Sequence, residues 1–141
     1  MSTRAHIVKK LKNGKYIGIY HHNDGYPEYL GDLLAKHYTT EAQVDKLIAL
    51  GDMSYAGPIP EDDPKLWTAK FIPGTLKYDY DSDKCKTYKG RGDQNVDARV
   101  GDLKDFTTED YTYVFEDGKW FVYDFEIPMG DLTTVLKSLK K

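Results

Sequence analysis

The sequence predicts one α+β domain over residues 1–141, with an antiparallel sheet of about four to six strands built from hairpins and two or three helices packed on one face. Two observations lead to this prediction. Strand–turn–strand patterns occur at residues 5–20 and 111–123, with Asn-Gly and Asp-Gly at their turns. The helical patterns form separate blocks instead of alternating with strands, which disfavours a parallel β-α-β architecture.

The composition is that of an ordinary water-soluble domain. Hydrophobic residues make up 40% of the chain and charged residues 30%, and no apolar run approaches the roughly 20 residues that a membrane helix needs. The N-terminus has no segment of signal-peptide type. The single cysteine, Cys85, excludes an internal disulfide and a cysteine-based zinc site. We therefore expect a cytoplasmic protein without a membrane partner.

The charge balance disfavours nucleic acid as a partner. The net charge is −3, from 23 acidic and 20 basic residues, whereas a general duplex-binding protein is usually basic. One local basic segment holds Lys84, Lys86, Lys89 and Arg91. A solvated loop explains this segment better than a phosphate contact does.

The first hairpin centres on Asn13 and Gly14. This dipeptide is typical of a type I′ turn, which needs positive φ at both central residues. On the second arm, Gly18 shares a face with Tyr16 and Tyr20, because successive residues of a strand alternate between faces. Gly18 therefore leaves room for another group to approach that face.

Two helices are expected after this hairpin. Pro27 suits the first turn of the first helix, and the apolar stripe at Leu30, Leu33 and Leu34 extends to His37, which we expect on or beside the buried face. The second helix begins with a capping-box pattern, Thr40 to Gln43. Its expected stripe consists of Val44, Leu47 and Ile48, and its expected C′ residue is Gly51.

The middle of the chain gives weaker patterns. We expect short strands at residues 53–55, 66–72 and 76–80, a polar loop over residues 81–96, and a short strand with a turn within residues 96–106.

The last part of the chain has a clear hairpin and a helix. Asp117 and Gly118 form the predicted turn between two aromatic, β-branched arms. We expect Pro128 to end the second arm and Asp131 to cap a final helix.

The best candidate site is the segment over residues 21–38, at the junction of strand and helix. It contains three of the four histidines of the chain. Tyrosine faces with a few converging polar groups describe a pocket for a small ligand or a peptide. The predicted binding residues are Arg4, Tyr20, His22, Asp24, Tyr26, His37 and Tyr38.

Three other interpretations of this region remain open. His22, Asp24 and His37 are of the types that bind zinc, iron or manganese, although their spacing matches no established metal site, and we predict neither a metal nor another cofactor. Turn chemistry alone accounts for Asp24 as an Asx cap and Gly25 at positive φ. Ser2, once Met1 is removed, has the arrangement of an N-terminal nucleophile.

Several motifs resemble a family of small proteins encoded by phages, prophages and mobile elements. The resemblance spans residues 3–57 and a late hairpin, about half of the chain. Its motifs here are Ser2-Thr3-Arg4, His22, Asp24-Gly25-Tyr26-Pro27, Gly31, His37-Tyr38, Leu50-Gly51-Asp52-Met53-Ser54 and the late hairpin from Tyr113 to Trp120. Asn23 stands where the family commonly has an aromatic residue. The resemblance implies a mobile-element origin and no particular reaction.

Together these observations predict a non-enzymatic accessory protein of a phage or mobile element. It would engage a host protein or sequester a small ligand, countering host defence, as a monomer or a homodimer. The alternative is a small hydrolase that uses the His22, Asp24 and His37 metal site or the Ser2 nucleophile.

Overall fold

A computed structural model describes residues 2–140 as an α+β fold with one mixed sheet of eight strands and four helices. The strands are β1 (Ala5–Lys10), β2 (Tyr16–His21), β3 (Met53–Tyr55), β4 (Lys86–Thr87), β5 (Arg99–Gly101), β6 (Tyr111–Glu116), β7 (Lys119–Asp124) and β8 (Ile127–Asp131). The helices are α1 (Asp32–His37), α2 (Glu41–Ala49), α3 (Tyr88–Arg91) and α4 (Leu132–Leu139). A π-helical turn, Pro27–Gly31, precedes α1, and 3-10 turns occur at Pro64–Thr68 and Leu103–Asp105. Within residues 2–140, none of the helices has both the length and the apolar character needed to cross a membrane.

The sheet is larger than expected and is not purely antiparallel. Its order is β4-β3-β2-β1-β6-β7-β8, and β5 pairs with β2. Strand β1 lies at the centre, antiparallel to β2 and parallel to β6, with Ala5 opposite Tyr111. The prediction of four to six antiparallel strands was wrong because local patterns identify hairpins but not the pairing between distant hairpins.

The two predicted hairpins are both present, with different turns. Asp117 and Gly118 both have positive φ, 52° and 77°, as a type I′ turn requires. In the first hairpin only Gly14 has positive φ, 85°, and the Leu11 N–H donates to the Lys15 carbonyl at 2.7 Å. The expected type I′ turn is therefore replaced there by a wider turn that ends on a left-handed glycine.

A third strand extends the late hairpin. We expected Pro128 to end the second arm, but it lies inside β8, which pairs antiparallel with β7. Strand β8 is at the edge of the sheet, where a residue without an N–H is tolerated. Phe125, in the turn before it, has a φ of 53°.

The first helix begins at Pro27 as predicted, but the last buried residue of its apolar stripe is not the expected one. Leu30 and Leu34 are fully buried. His37, expected on or beside the buried face, is exposed, and Tyr38 is fully buried instead. The helix ends at His37, and Tyr38 has a non-helical backbone with φ −123° and ψ 66°. Tyr38 therefore enters the core from a non-helical position, which the 3.6-residue periodicity of the helix does not predict.

The caps of the other two long helices are confirmed. Thr40 and Gln43 form the reciprocal capping box of α2, and Gly51 follows this helix with a φ of 81°. The Asp131 carboxylate accepts from the N–H groups of Thr133 and Thr134 at the start of α4. These contacts satisfy donors that a helix N-terminus otherwise leaves unpaired.

The middle of the chain departs most from the prediction. The expected strand at 66–72 starts within the 3-10 turn Pro64–Thr68 and continues into a small hairpin. The expected strand at 76–80 is the other side of this hairpin, which has a single bridge, between Phe71 and Tyr78. The expected loop at 81–96 contains β4 and α3. The short strands at 53–55 and within 96–106 are confirmed as β3 and β5.

Each face of the sheet has its own apolar core. The larger core lies under α1, α2 and α4 and includes Ile7, Ile19 and Tyr113 from the sheet. The smaller core, on the opposite face, contains Val8, Phe106 and Val114. A Cβ at Gly18 would lie 2.9 Å from the Phe106 ring. The side chains that approach Gly18 are therefore those of Phe106 and Val8.

Candidate functional site

Three of the predicted site residues lie together on the sheet face opposite the helices. Tyr20 and His22 are two residues apart, and the Tyr20 hydroxyl lies 2.7 Å from His22 Nδ1. Arg4 precedes the neighbouring strand β1, and its charge acts on the Tyr20 hydroxyl. Arg4 and His22 line a cleft of about 410 Å³. Its remaining lining residues are Ser2, Glu109 and Asp110. We name this the N-terminal cleft.

The Tyr20–His22 contact is compatible with a His22 tautomer that can donate to a ligand. Burial, more than any neighbouring charge, raises the pKa of Tyr20 above its ordinary value, so the hydroxyl is protonated at neutral pH. When His22 Nδ1 is unprotonated, the hydroxyl donates to it and the ring proton is on Nε2. His22 can then donate from Nε2 to a ligand.

Two further histidines are buried, one on each face of the sheet. His6 faces Tyr20 across the strand pair, with ring centroids 5.7 Å apart, and burial is the main cause of its lowered pKa of about 4, followed by the charge of Arg99. His21 is fully buried and its Nε2 accepts from the Ala56 N–H at 2.9 Å. Burial lowers its pKa to about 3. Within residues 2–140, Nδ1 of each ring has no hydrogen-bond partner. Both rings are therefore neutral in the folded protein near pH 7.

The turn at Asp24 and Gly25 differs from the proposed turn chemistry. Asp24 has the positive φ, 56°, that we expected of Gly25. Gly25 is needed for space instead, because a Cβ there would lie 2.7 Å from the Ala5 Cβ. Tyr26 follows the turn and is 36% exposed.

Tyr26 belongs to a set of aromatic side chains, most of which are exposed. Its ring centroid lies 6.4 Å from that of Tyr29, which is also exposed. The pKa of Tyr55 is raised to about 12, mainly by burial and further by the Tyr29 and Tyr78 hydroxyls. Tyr78 stacks on Phe71 with centroids 4.4 Å apart. We name Tyr26, Tyr29, Tyr55, Phe71 and Tyr78 the aromatic surface.

A cation lies beside Tyr55 of this surface. The Lys86 ammonium is 4.5 Å from the Trp67 ring centroid and 5.9 Å from that of Tyr55. Burial, followed by the charge of Arg91, lowers the pKa of Lys86. Among the described residues Lys86 forms no ion pair. The aromatic surface thus presents a cation without a carboxylate partner.

Two other predicted residues, His37 and Tyr38, lie in neither the N-terminal cleft nor the aromatic surface. His37 is exposed at the end of α1. Tyr38 is a core residue whose hydroxyl donates to the Gly57 carbonyl at 2.7 Å, and whose own carbonyl accepts from Trp120. In the described chain, no three His, Cys, Asp or Glu side chains are grouped to hold a metal ion. The geometry therefore does not support the His22, Asp24 and His37 metal alternative.

Several residues of the N-terminal cleft and of the aromatic surface were not predicted from the sequence. Glu109 and Asp110 come from a segment whose pattern did not predict how it folds. Phe71 and Tyr78 were assigned to strands of the main sheet. The Pro73-Gly74 dipeptide between them, flanked by aromatic residues, is the signal that could have indicated a small separate hairpin.

Comparison of the chain with protein-family models, with curated proteins and with solved structures finds no match in any of the three.

Proposed function

We propose that this protein acts by binding another protein through the aromatic surface. The observation that supports this proposal is that the Phe71 and Tyr78 side chains are 57% and 55% exposed. Other aromatic side chains, such as Tyr113 and Phe115, are buried in the core. Tyrosine, tryptophan and arginine dominate the energetics of protein interfaces. The residues around Lys86 are of these types.

The small hairpin over residues 70–79 gives this surface its shape. Main-chain bonds join Lys70 and Asp79, and Ile72 and Lys77. One of its faces carries the stacked Phe71 and Tyr78 rings. Every residue from 71 to 79 is exposed. The hairpin is therefore ordered by its own hydrogen bonds while its apolar side chains lie in water.

The partner should carry apolar side chains and at least one carboxylate. The aromatic rings need an apolar counterpart, since burying them removes apolar area from water at about 25 cal/mol per Å². Lys86, which is partly desolvated, needs a counter-charge. The resemblance to mobile-element proteins supports the further proposal that the partner is a host protein whose defensive role this protein counters. In this proposal the protein performs no reaction, and the hydrolase alternative has no support from the metal geometry.

The test places a photo-crosslinking amino acid at Tyr78 or, as a control, at Lys119 in the late hairpin, in cells that make the protein. A partner crosslinked from position 78 and not from position 119 is then purified for direct binding measurements. We expect Phe71→Ala to weaken binding by at least about tenfold, the equivalent of 1.4 kcal/mol.

Ile127→Ala is the matched control, because Ile127 is exposed and apolar but lies on β8. Equal loss of affinity in Phe71→Ala and Ile127→Ala, or equal crosslinking from both positions, would contradict the proposal.

A further inference from the structure

The N-terminal cleft joins a second cleft in which acidic and aromatic groups meet. The second cleft has a volume of about 400 Å³, and the two clefts share Ser2 and Asp110. Its other lining residues are Thr3, Tyr111, Asp124 and Phe125. The Phe125 N–H donates to the Asp110 carbonyl at 3.1 Å. Because the clefts share two lining residues, a ligand that passes Ser2 and Asp110 would extend from Arg4 and His22 to Asp124 and Phe125.

The charges along this path do not suit a simple anion. Arg4 and the His22 Nε2 offer donors at one end. Within residues 2–140 the Arg4 guanidinium makes no ion pair. Glu109, Asp110 and Asp124 contribute three carboxylates against one guanidinium. A fitting ligand therefore carries one carboxylate and a net positive charge.

The far end of the path favours an organic cation. Phe125 is 51% exposed and is held at a φ of 53°, in the left-handed region that bulky side chains rarely adopt. Phe125 and Asp124 both line the second cleft. A guanidinium or ammonium group gains both a carboxylate and an aromatic face in such a place.

We propose that the joined clefts bind a free basic amino acid. Its carboxylate lies on Arg4 and the His22 Nε2–H, its α-ammonium faces Glu109 and Asp110, and its side-chain cation lies between Asp124 and Phe125. This site is separate from the aromatic surface, so it goes beyond the proposed protein-binding function and does not depend on it.

The test is an NMR titration of the full ¹⁵N-labelled chain with three probes at one ionic strength. L-arginine has all three charged groups, L-citrulline lacks the side-chain charge, and agmatine lacks the carboxylate. We expect L-arginine to shift the Arg4 and His22 side-chain signals and to bind at least about tenfold more tightly than either of the other two probes.

Two variants test which end of the ligand lies at Arg4 and which lies at Asp124. Arg4→Gln should weaken L-arginine binding at least about tenfold and leave agmatine unaffected, whereas Asp124→Asn should weaken L-arginine and leave L-citrulline unaffected. Lys12→Gln, which removes a charge at the opposite end of β1, is the control and should change nothing.

Three results would overturn the proposal: no shift of the Arg4 and His22 signals at about 20 mM L-arginine, L-arginine binding no tighter than L-citrulline or agmatine, or an equal effect of each variant on all three probes. Thermal unfolding of each variant separates loss of the site from loss of the fold. The aromatic surface can be tested independently, because none of its residues lines the joined clefts.

Discussion

The Tyr113 hydroxyl donates to the Gly25 carbonyl at 2.7 Å, a contact between residues 88 positions apart. Tyr113 is fully buried, and the Gly25 N–H donates to the Thr3 carbonyl at 2.8 Å. The N–H and the carbonyl of Gly25 are thus both paired with distant parts of the chain. The turn that positions Tyr26 is therefore fixed from strand β6 as well as from the N-terminal segment.

Tyr113→Phe should destabilise the protein by about 1–3 kcal/mol. The variant keeps the ring but leaves the buried Gly25 carbonyl without its partner, and an unpaired buried acceptor costs that amount. Urea denaturation followed by circular dichroism measures the change. Tyr78→Phe is the control, because the Tyr78 side chain is exposed. A loss below about 0.5 kcal/mol in Tyr113→Phe would show that water or a rearranged turn satisfies the carbonyl.

Gly18→Ala should also be costly, for a different reason. The added Cβ would lie 2.9 Å from both the Phe106 ring and the Val8 Cγ2, and 3.0 Å from the Ile7 carbonyl oxygen. Overpacking of this kind costs about 1–3 kcal/mol. Chemical denaturation of the variant gives the value.

The contact with Phe106 can be isolated by a double-mutant cycle. If Phe106 is the main obstacle, Phe106→Ala should reduce the cost of Gly18→Ala by about 0.5 kcal/mol or more, since residues in contact couple. Strict additivity of the two changes would instead assign the strain to Val8 and the Ile7 carbonyl.

Local sequence patterns predicted the elements whose residues make local contacts. The capping box at Thr40 and Gln43 and the cap at Asp131 were predicted because each involves residues within three positions of one another. The Asp117-Gly118 turn was predicted for the same reason. The parallel pairing of β1 with β6 was not, because it joins the first and the late hairpins and no local pattern records it.

In the candidate site, too, the local strand geometry was predictable and the long-range packing was not. Tyr20 and His22 share a face because a strand alternates, and Arg4 lies next to them because β1 pairs with β2. Glu109, Asp110 and Asp124 were not foreseen, since tertiary packing alone brings them to the cleft. His37 was misplaced because the helix ends there and Tyr38 enters the core.

The aromatic surface should contribute little to folding. Phe71→Ala removes a ring that is 57% exposed and stacks on a single neighbour, Tyr78, so the loss should stay near the roughly 0.5–1.5 kcal/mol of an aromatic pair. Phe115→Ala removes a ring that is 4% exposed in the main core, and should cost about 3–5 kcal/mol. Denaturant midpoints of the two variants compare them directly. Similar costs would mean that Phe71 serves the fold and not a partner.

The two buried histidines should make the protein acid-sensitive. The folded-state pKa values of about 4 for His6 and about 3 for His21 lie below the ordinary value of 6.5. As the pH falls below 6.5, the unfolded chain therefore binds protons that the folded chain excludes. Each histidine should lower the free energy of unfolding by about 1.4 kcal/mol per pH unit until the pH reaches its folded pKa.

His6→Phe isolates one of these contributions. Urea denaturation at several pH values between about 6 and 5, above the range in which most carboxylates titrate, should show a slope smaller by about 1.4 kcal/mol per pH unit than in the unsubstituted protein. Phenylalanine suits the site, because His6 packs edge-on against the rings of Tyr20 and Phe106. Ile127→Ala, a change at an exposed position that carries no titratable group, should leave the slope unaltered. An unchanged slope in His6→Phe would mean that His6 becomes protonated in the folded state without a penalty, and that the sheet face around Tyr20 is more open to water than its packing indicates.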